Sequence, residues 1–159
     1  MEYRTDSLIL RAVTEDDLAE VARTWPSDHP LSDTEAQTQI DRMRQNHQKN
    51  AAGRLHHLCL AVCEQSAPGT IRGWCGLDGG RNPAEPDIFV LLDEDFRGQG
   101  YGTRCMKELL RIAANEYALR AVRGGCFRDN IASGKAMLKA GMVPCGYEDN
   151  GDPRYIWEK

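Results

Sequence analysis

The chain has 159 residues, which is the usual size of one domain and enough to enclose a hydrophobic core without disulfides or a structural metal. Its composition, with 41% apolar and 28% charged residues, is typical of a folded globular protein and predicts no long disordered arm. The formal charge of −4 argues against a nucleic-acid-binding protein, which needs a basic surface. We therefore expect a single domain over residues 1–159 that does not bind nucleic acid.

The first residues and the cysteines indicate neither a membrane nor an oxidising compartment. The opening segment lacks the apolar run of a signal peptide, and no stretch approaches the ~20 apolar residues that span a bilayer. We expect a cytoplasmic protein with no membrane contact. Six cysteines are scattered without C-x-x-C pairs or the Cys/His spacing of a zinc site, which predicts reduced thiols and no metal. They are Cys59, Cys63, Cys75, Cys105, Cys126 and Cys145.

The first third of the chain predicts a strand followed by two helices. Residues 3–11 are typical of a strand, and the capping boxes Thr14-Glu-Asp-Asp17 and Ser32-Asp-Thr-Glu35 each mark the start of a helix. Pro26 ends the first of these helices, because proline cannot continue helical hydrogen bonding. The second runs to about residue 50 with a thin apolar stripe, which predicts a surface helix.

Three strands are expected next, at residues 57–64, 70–77 and 88–92. The last of them, Ile88-Phe-Val-Leu-Leu92, is apolar throughout. Such a run predicts a central strand that is buried on both faces.

The second half of the chain alternates between helices and strands. A helix begins at Tyr101, a strand follows at residues 120–127, and Gly141 terminates a second helix over residues 131–140. A closing hairpin is predicted around the Asn150-Gly151 turn. Its two strands are expected at residues 142–147 and 154–157.

A glycine-rich segment after residue 92 carries the strongest chemical signal. A short acidic turn leads into Arg97-Gly-Gln-Gly-Tyr-Gly-Thr103, and the predicted helix begins within that segment. Backbone N–H groups at the start of a helix lack internal partners and carry the positive end of the helix dipole, and glycines let a diphosphate approach them closely. The segment therefore predicts an anion-binding loop, with a flexible turn as the alternative.

The spacing of these glycines excludes two common phosphate loops. The chain has no Gly-Lys-Ser/Thr triplet of a P-loop, and G-x-G-x-x-G fails because Thr103 or Cys105 stands at the third glycine position. The pattern that remains is R-x-x-G-x-G, at Arg97, Gly100 and Gly102. It resembles the GNAT superfamily of acetyltransferases, whose members carry Q/R-x-x-G-x-G/A at this junction to hold the diphosphate of coenzyme A.

The resemblance covers nearly the whole chain. GNAT proteins follow the order strand, two helices, three strands, helix, strand, helix, two strands, which matches the predicted elements. This implies an α/β (α+β) fold with a single mixed, mostly antiparallel sheet of about seven strands, flanked by about four helices. Asn130-Ile-Ala-Ser133 and the Gly141-Met142 pair resemble the branch that acetylates the N-termini of ribosomal proteins.

The resemblance also implies where acetyl-coenzyme A, the acyl donor, binds. Its pantetheine arm is expected along the backbone of residues 90–92, where the central strand splays from its neighbour at a bulge. Its diphosphate is expected on the amides of residues 98–103, while Arg97, Arg104 and Lys107 either face the phosphates or are solvated. Asn130 contacts the coenzyme or caps its helix. The expected coenzyme-binding residues are Val90, Leu91, Leu92, Arg97, Gly98, Gln99, Gly100, Tyr101, Gly102, Thr103, Asn130 and Ser133.

The implied reaction needs no nucleophilic side chain, because the thioester is already reactive and an amine attacks it directly. The amine must first lose a proton, to a carboxylate or a water chain. Asp87 is the first candidate base, with Glu148 and Asp152 behind it. Many GNAT proteins use a tyrosine as the acid at the position of Met137, and a thioether cannot donate a proton. By resemblance to the ribosomal-protein branch, Ser133 is the candidate acid, and a structural first-turn hydroxyl is the alternative.

The sequence leaves the acceptor amine open between a protein N-terminus and a small molecule. In the GNAT architecture the acceptor lies between the first two helices and the last hairpin, where acidic side chains attract an ammonium group. Met137 keeps a second function open, a non-catalytic sensor of acyl-coenzyme A. A homodimer is also open. The residues of the expected acceptor region are Trp25, Asp28, His29, His47, Glu148, Asp149 and Asp152.

Overall fold

A computed structural model describes residues 1–159. One sheet contains all eight strands, and four α-helices pack against it. The strands are β1 (Glu2–Arg4), β2 (Leu8–Arg11), β3 (His57–Glu64), β4 (Gly73–Asp78), β5 (Asp87–Leu92), β6 (Ala121–Gly125), β7 (Val143–Tyr147) and β8 (Pro153–Glu158). The helices are α1 (Leu18–Thr24), α2 (Asp33–Gln48), α3 (Tyr101–Asn115) and α4 (Ile131–Ala140). The fold class expected from the sequence is confirmed.

The single strand expected at residues 3–11 is a hairpin of β1 and β2, so the sheet has eight strands instead of seven. The hydroxyl of Thr5 accepts hydrogen bonds from the amides of Ser7 and Leu8, at 3.3 and 3.0 Å. This local bonding closes the turn between the strands. β4 and β6 are also shorter at their starts than expected, beginning at Gly73 and Ala121.

Both predicted capping boxes form and fix the starts of the first two helical segments. The side chain of Thr14 caps a short 3₁₀ turn that continues into α1. At α2, the Ser32 hydroxyl accepts from the Glu35 amide at 3.1 Å, and the Glu35 carboxylate accepts from the Ser32 amide at 3.0 Å. The apolar stripe of α2 is buried, as its spacing predicts. It consists of Ala36, Ile40 and Met43.

The sheet is mixed and mostly antiparallel, with the strand order β1-β2-β3-β4-β5-β6-β8-β7. β5 runs parallel to β6 and shares only one residue pair with it, Asp87 with Arg123, so the two strands diverge beyond that pair. The expected splay of the central strand is therefore present. The expected bulge is not, because β5 pairs with β4 in continuous register from Asp87 to Leu92.

Helices cover both faces of the sheet and bury a separate core on each. A cluster of 21 buried residues fills the face under α3 and α4, and a cluster of 10 fills the face under α1 and α2. Alternate residues of β5 contribute to opposite faces, with Ile88 and Val90 toward α3 and Phe89 toward α1 and α2. None of the four helices is long and apolar enough to cross a bilayer.

Candidate active site

The divergence of β5 and β6 opens a continuous cleft through the sheet. Its loop side, about 500 Å³, is lined by the glycine-rich loop and by α4. Its hairpin side, about 630 Å³, is lined by β5, by the segment after β6 and by the loop between β7 and β8. The residues that line both sides are Val90, Leu91, Met106, Asn130 and Ser133.

The cleft explains why one prediction about β5 was wrong. The apolar run predicts burial on both faces, yet the Leu91 side chain is 51% exposed. The apolar Leu91 side chain lines a cavity instead of packing in a core, because β6 diverges from β5 beside it. Hydrophobic periodicity does not distinguish these two environments.

Six consecutive backbone amides, at residues 98–103, lie at the start of α3, and Gly98, Gly100, Gly102 and Thr103 among these residues line the loop side. None of the six amides donates a hydrogen bond within the protein, and α3 has no side-chain cap. Gly98 and Gly100 have φ values of +73° and +82°, a left-handed conformation that glycine adopts without strain. Unpaired N–H groups at the positive end of a helix dipole attract an anion, and a diphosphate fits this arrangement.

Gly102 has no conformational reason to be glycine. It lies in the first turn of α3, its φ is not positive, and a Cβ built on it meets no atom within 4 Å. The open space beside it belongs to the loop side of the cleft. The missing side chain therefore leaves room for a ligand against the backbone, not for another part of the protein.

Side chains of the loop mostly point elsewhere. Arg97 lines the cleft while its Nε donates to the Leu92 carbonyl at 3.0 Å. The Gln99 amide donates to the Asp95 carbonyl at 3.3 Å, and Tyr101 packs edge-on against Phe96. Neither Gln99 nor Tyr101 lines the cleft, although the backbone amide of each has no partner in the protein.

Two cations that the sequence did not single out line the loop side from α4. They are Lys135 and Lys139, one helical turn apart on the same face. Arg104, which we considered as a phosphate ligand, instead contacts Ser7 near the start of the chain. The i, i+4 spacing of Lys135 and Lys139, shortly after Asn130, is the sequence signal that could have identified them.

Asn130 caps α4, and its cap brings Ser133 into the cleft. The Asn130 Oδ1 accepts from the Ser133 amide at 3.2 Å, which is the capping alternative we considered. Asn130 also lines both sides of the cleft, so it remains available to a ligand. The Ser133 side chain lies against Cys126. Burial raises the pKa of the Cys126 thiol, so this thiol is uncharged at neutral pH.

A row of alternating charges lines the hairpin side. Arg154 Nη2 donates to Asp87 Oδ1 at 2.6 Å, and Arg154 Nε lies 3.4 Å from Glu148 Oε1. Arg81 Nη1 donates to the same Glu148 oxygen at 2.9 Å. Sequence analysis did not single out Arg154, because its partner Asp87 is 67 residues away along the chain.

These ion pairs affect the two candidate bases, Asp87 and Glu148, differently. The hydrogen bond from Arg81 lowers the pKa of Glu148, so this carboxylate is a weaker proton acceptor than a free one. The geometry therefore argues against Glu148 as a base. Asp87 is hydrogen-bonded only through Oδ1, which leaves Oδ2 free.

The residues of the expected acceptor region do not all meet at the cleft. Glu148, Asp149 and Asp152 line its hairpin side. Trp25 lines a separate small pocket beside it. His47 lies away from the cleft and hydrogen-bonds the backbone of β3, and Asp28 and His29 lie in the exposed loop between α1 and α2. No group of three or more His, Cys, Asp or Glu side chains is placed to hold a metal ion.

A family model described as the acetyltransferase (GNAT) domain matches residues 7–143. No curated protein matches the chain. Among solved structures, the ribosomal-protein-S5-alanine acetyltransferase from Vibrio fischeri superposes with a TM-score of 0.80 at 13% identity, over 100% of this chain and 96% of that one.

Two further similar structures contain coenzyme. RimL, a ribosomal L7/L12 alpha-N-protein acetyltransferase in complex with coenzyme A, has a TM-score of 0.73 and 20% identity, over 99% of this chain and 98% of that one. The microcin C7 self-immunity acetyltransferase MccE, in complex with acetyl-CoA and AMP, has a TM-score of 0.73 and 16% identity, over 98% and 94%. At such identities these structures establish the fold alone. The family model, which spans most of the chain, assigns the protein to the GNAT family of acetyltransferases.

Proposed function

We propose that residues 1–159 work as one domain that transfers an acetyl group from acetyl-coenzyme A to a primary amine. The single observation that carries this proposal is the row of six unpaired amides at residues 98–103, beside a cleft that passes through the sheet. A diphosphate on these amides directs the pantetheine arm along β5 toward the hairpin side. The amine then enters from the opposite face.

The loop side supplies the charge that a coenzyme requires. The diphosphate accepts hydrogen bonds from the loop, and Lys135 and Lys139 add positive charge from α4. The pantetheine arm lies beside Val90, Leu91 and Leu92, whose backbone is freed by the divergence of β5 from β6. The family resemblance implies Val90, Leu91 and Leu92 for this role, whereas Lys135 and Lys139 come from the cleft alone.

Ser133 and Asp87 are our candidates for proton transfer. Ser133 lies where the two sides of the cleft meet, so its hydroxyl can protonate the departing thiolate. Asp87, through Oδ2 and an intervening water, takes the proton of the incoming ammonium. We assign Glu148 a different role, holding Arg154 and with it the charge row of the hairpin side.

The proposed class of acceptor rests on the acidic side chains of the hairpin side, not on the acceptors of the similar structures. Asp149 and Asp152 line the hairpin side and form no salt bridge, so their negative charge attracts an ammonium group, although Asp152 also accepts hydrogen bonds from the Arg128 amide and the Asn150 side chain. The ribosomal-protein enzymes of similar fold act on protein N-termini, and a small amine satisfies the same charge requirement. The assay therefore includes both N-terminal peptides and small amines.

The test has two steps. Thermal denaturation with acetyl-coenzyme A at about a hundredfold excess over Kd should add ~2.7 kcal/mol to the free energy of unfolding. Release of free thiol is then followed for a panel of amines and N-terminal peptides. Stabilisation without thiol release on any acceptor would favour the acyl-coenzyme A sensor, and no stabilisation at all would refute both functions.

A further inference from the structure

The glycine-rich loop receives no support from its own amides. The six N–H groups of residues 98–103 donate to no acceptor in the protein, and two of the glycines have a positive φ. A row of free amides binds a diphosphate well only if it is already held in place, because ordering it during binding costs backbone entropy. Contacts outside the loop are therefore needed to fix its position.

Arg72, the residue before β4, holds the acidic turn (residues 93–96) that leads into the loop. Its Nε lies 3.5 Å from Asp93 Oδ2, and its Nη2 lies 3.2 Å from Asp95 Oδ1. Its Nη1 donates to Glu64 Oε1 at 2.9 Å, and its backbone carbonyl accepts from the Asp93 amide at 2.8 Å. A single exposed ion pair contributes little to stability, but one guanidinium shared by three carboxylates forms a network. The acidic turn is thus fixed to the sheet through both backbone and side chains.

Two aromatic rings connect Arg72 to the far end of the loop. The guanidinium carbon of Arg72 lies 4.4 Å from the centroid of the Phe96 ring, a cation–π contact. Phe96 is 2% exposed and meets Tyr101 edge-on, with ring centroids 4.2 Å apart. Phe96 precedes Gly98 in the chain, and Tyr101 follows Gly100. The contact between the two rings therefore joins the ends of the segment that contains both glycines.

The charge of Arg72 also answers an electrostatic problem. Asp93, Glu94 and Asp95 directly precede a loop that we expect to bind an anionic diphosphate, and like charges close together repel. The guanidinium of Arg72 is paired with two of these three carboxylates. It offsets their charge next to the diphosphate site.

Resting on the coenzyme binding proposed above, we propose that Arg72 is a positioning residue for acetyl-coenzyme A. It holds the acidic turn and, through the contact between Phe96 and Tyr101, the amides that bind the diphosphate. Arg72 lines neither side of the cleft, so it acts through the loop and not by touching the coenzyme. Its loss should weaken coenzyme binding and leave the chemical step unchanged.

Calorimetric titration with coenzyme A tests this role in the parent and in Arg72→Gln. We expect Kd to rise by about 5- to 30-fold, which corresponds to the entropy of ordering one more backbone residue on binding. The binding stoichiometry should stay the same. In the thiol-release assay, KM for acetyl-coenzyme A should rise while kcat at saturation is kept. A purely structural role would instead reduce the folded fraction, which lowers stoichiometry and kcat and leaves Kd and KM unchanged.

Arg44→Gln is the matched control. Arg44 also pairs with two carboxylates, Glu15 and Asp41, and lies on α2 outside the cleft. The substitution removes the same charge as Arg72→Gln, so it corrects for the change in net charge. Its Kd for coenzyme A should equal that of the parent.

A second variant, Arg72→Met, keeps the test open if Arg72→Gln does not fold. Methionine retains an unbranched side chain against Phe96 and removes the ion pairs, so its Kd should also rise. A parental Kd in either folded variant overturns the proposal, and so does an equal loss of affinity in Arg44→Gln. If the parent itself does not bind coenzyme A, the proposed acetyl transfer fails as well, and that result is distinct from a failure of the Arg72 role alone.

Discussion

Replacing Gly102 with valine is expected to remove most coenzyme binding while leaving the free protein folded. Gly102 lies in the first turn of α3 without a positive φ, and a Cβ there meets nothing within 4 Å. Valine also has a slightly better helix propensity than glycine, so the free variant should melt at or above the parental temperature. Its methyl groups occupy the open side of the backbone, which displaces the diphosphate from the Gly102 amide. Loss of one hydrogen bond to a charged group costs about 1.5–3 kcal/mol, or about 10- to 150-fold in Kd.

Thermal denaturation with and without acetyl-coenzyme A measures both effects in one assay. At a ligand concentration of about one hundred times the parental Kd, the parent gains ~2.7 kcal/mol and the variant only about 0.3–1.4 kcal/mol. Gly102→Ala is the matched control, because the family pattern permits alanine at this position. A Gly102→Val protein with the parental Kd would show that the loop is a plain turn, and so would equal losses for alanine and valine.

The remaining predictions concern catalysis, pH and thiols. Ser133→Ala should lower kcat by about 10²- to 10⁴-fold with little change in affinity for acetyl-coenzyme A; a variant that melts slightly lower but turns over normally would make Ser133 a structural hydroxyl. Asp17→Asn should cost about 3 kcal/mol of stability, because Arg11, at 2.7 Å from Asp17, becomes an unpaired buried charge; calorimetry measures the loss. Burial alone raises the pKa of Asp17, but hydrogen bonds from Arg11 and the Thr14 amide outweigh burial and lower it, so this stabilisation is complete above pH ~4 and is lost as pH falls further. A thiol reagent should modify the exposed Cys145 first and buried residues such as Cys59 only on unfolding; two equally fast thiols would contradict the burial pattern.

Local signals in the sequence predicted the helix starts and several strands well. The capping boxes at Thr14 and Ser32 are both present, and the limits of β3 and α4 match the expected residues. These features depend on neighbours within four residues, which a single sequence displays directly. The Thr5 turn is equally local, but alternating apolar residues continue through it and conceal the reversal.

Long-range features of the site could not be predicted in the same way. Arg154 pairs with Asp87 across 67 residues of chain, and no local pattern links them. The small pocket beside the cleft brings together rings from three separate segments, Trp25, Trp74 and Phe89. The apolar residues of β5 correctly predicted a strand but wrongly predicted burial on both faces, because a cavity wall and a core have the same composition.

The insertion of β8 between β6 and β7 sets the order in which the protein becomes active during synthesis. A ribosome makes β8 after both of its neighbours, and neither β6 nor β7 pairs with the other. In a nascent chain that stops before Pro153, β7 therefore has no partner strand and one edge of β6 is exposed to other chains. Such a chain also lacks Arg154 and the strand that supports the hairpin side of the cleft. Translation must reach the last strand before this chain can carry out acyl transfer, and a stalled chain is prone to aggregate before it can be catalytically competent.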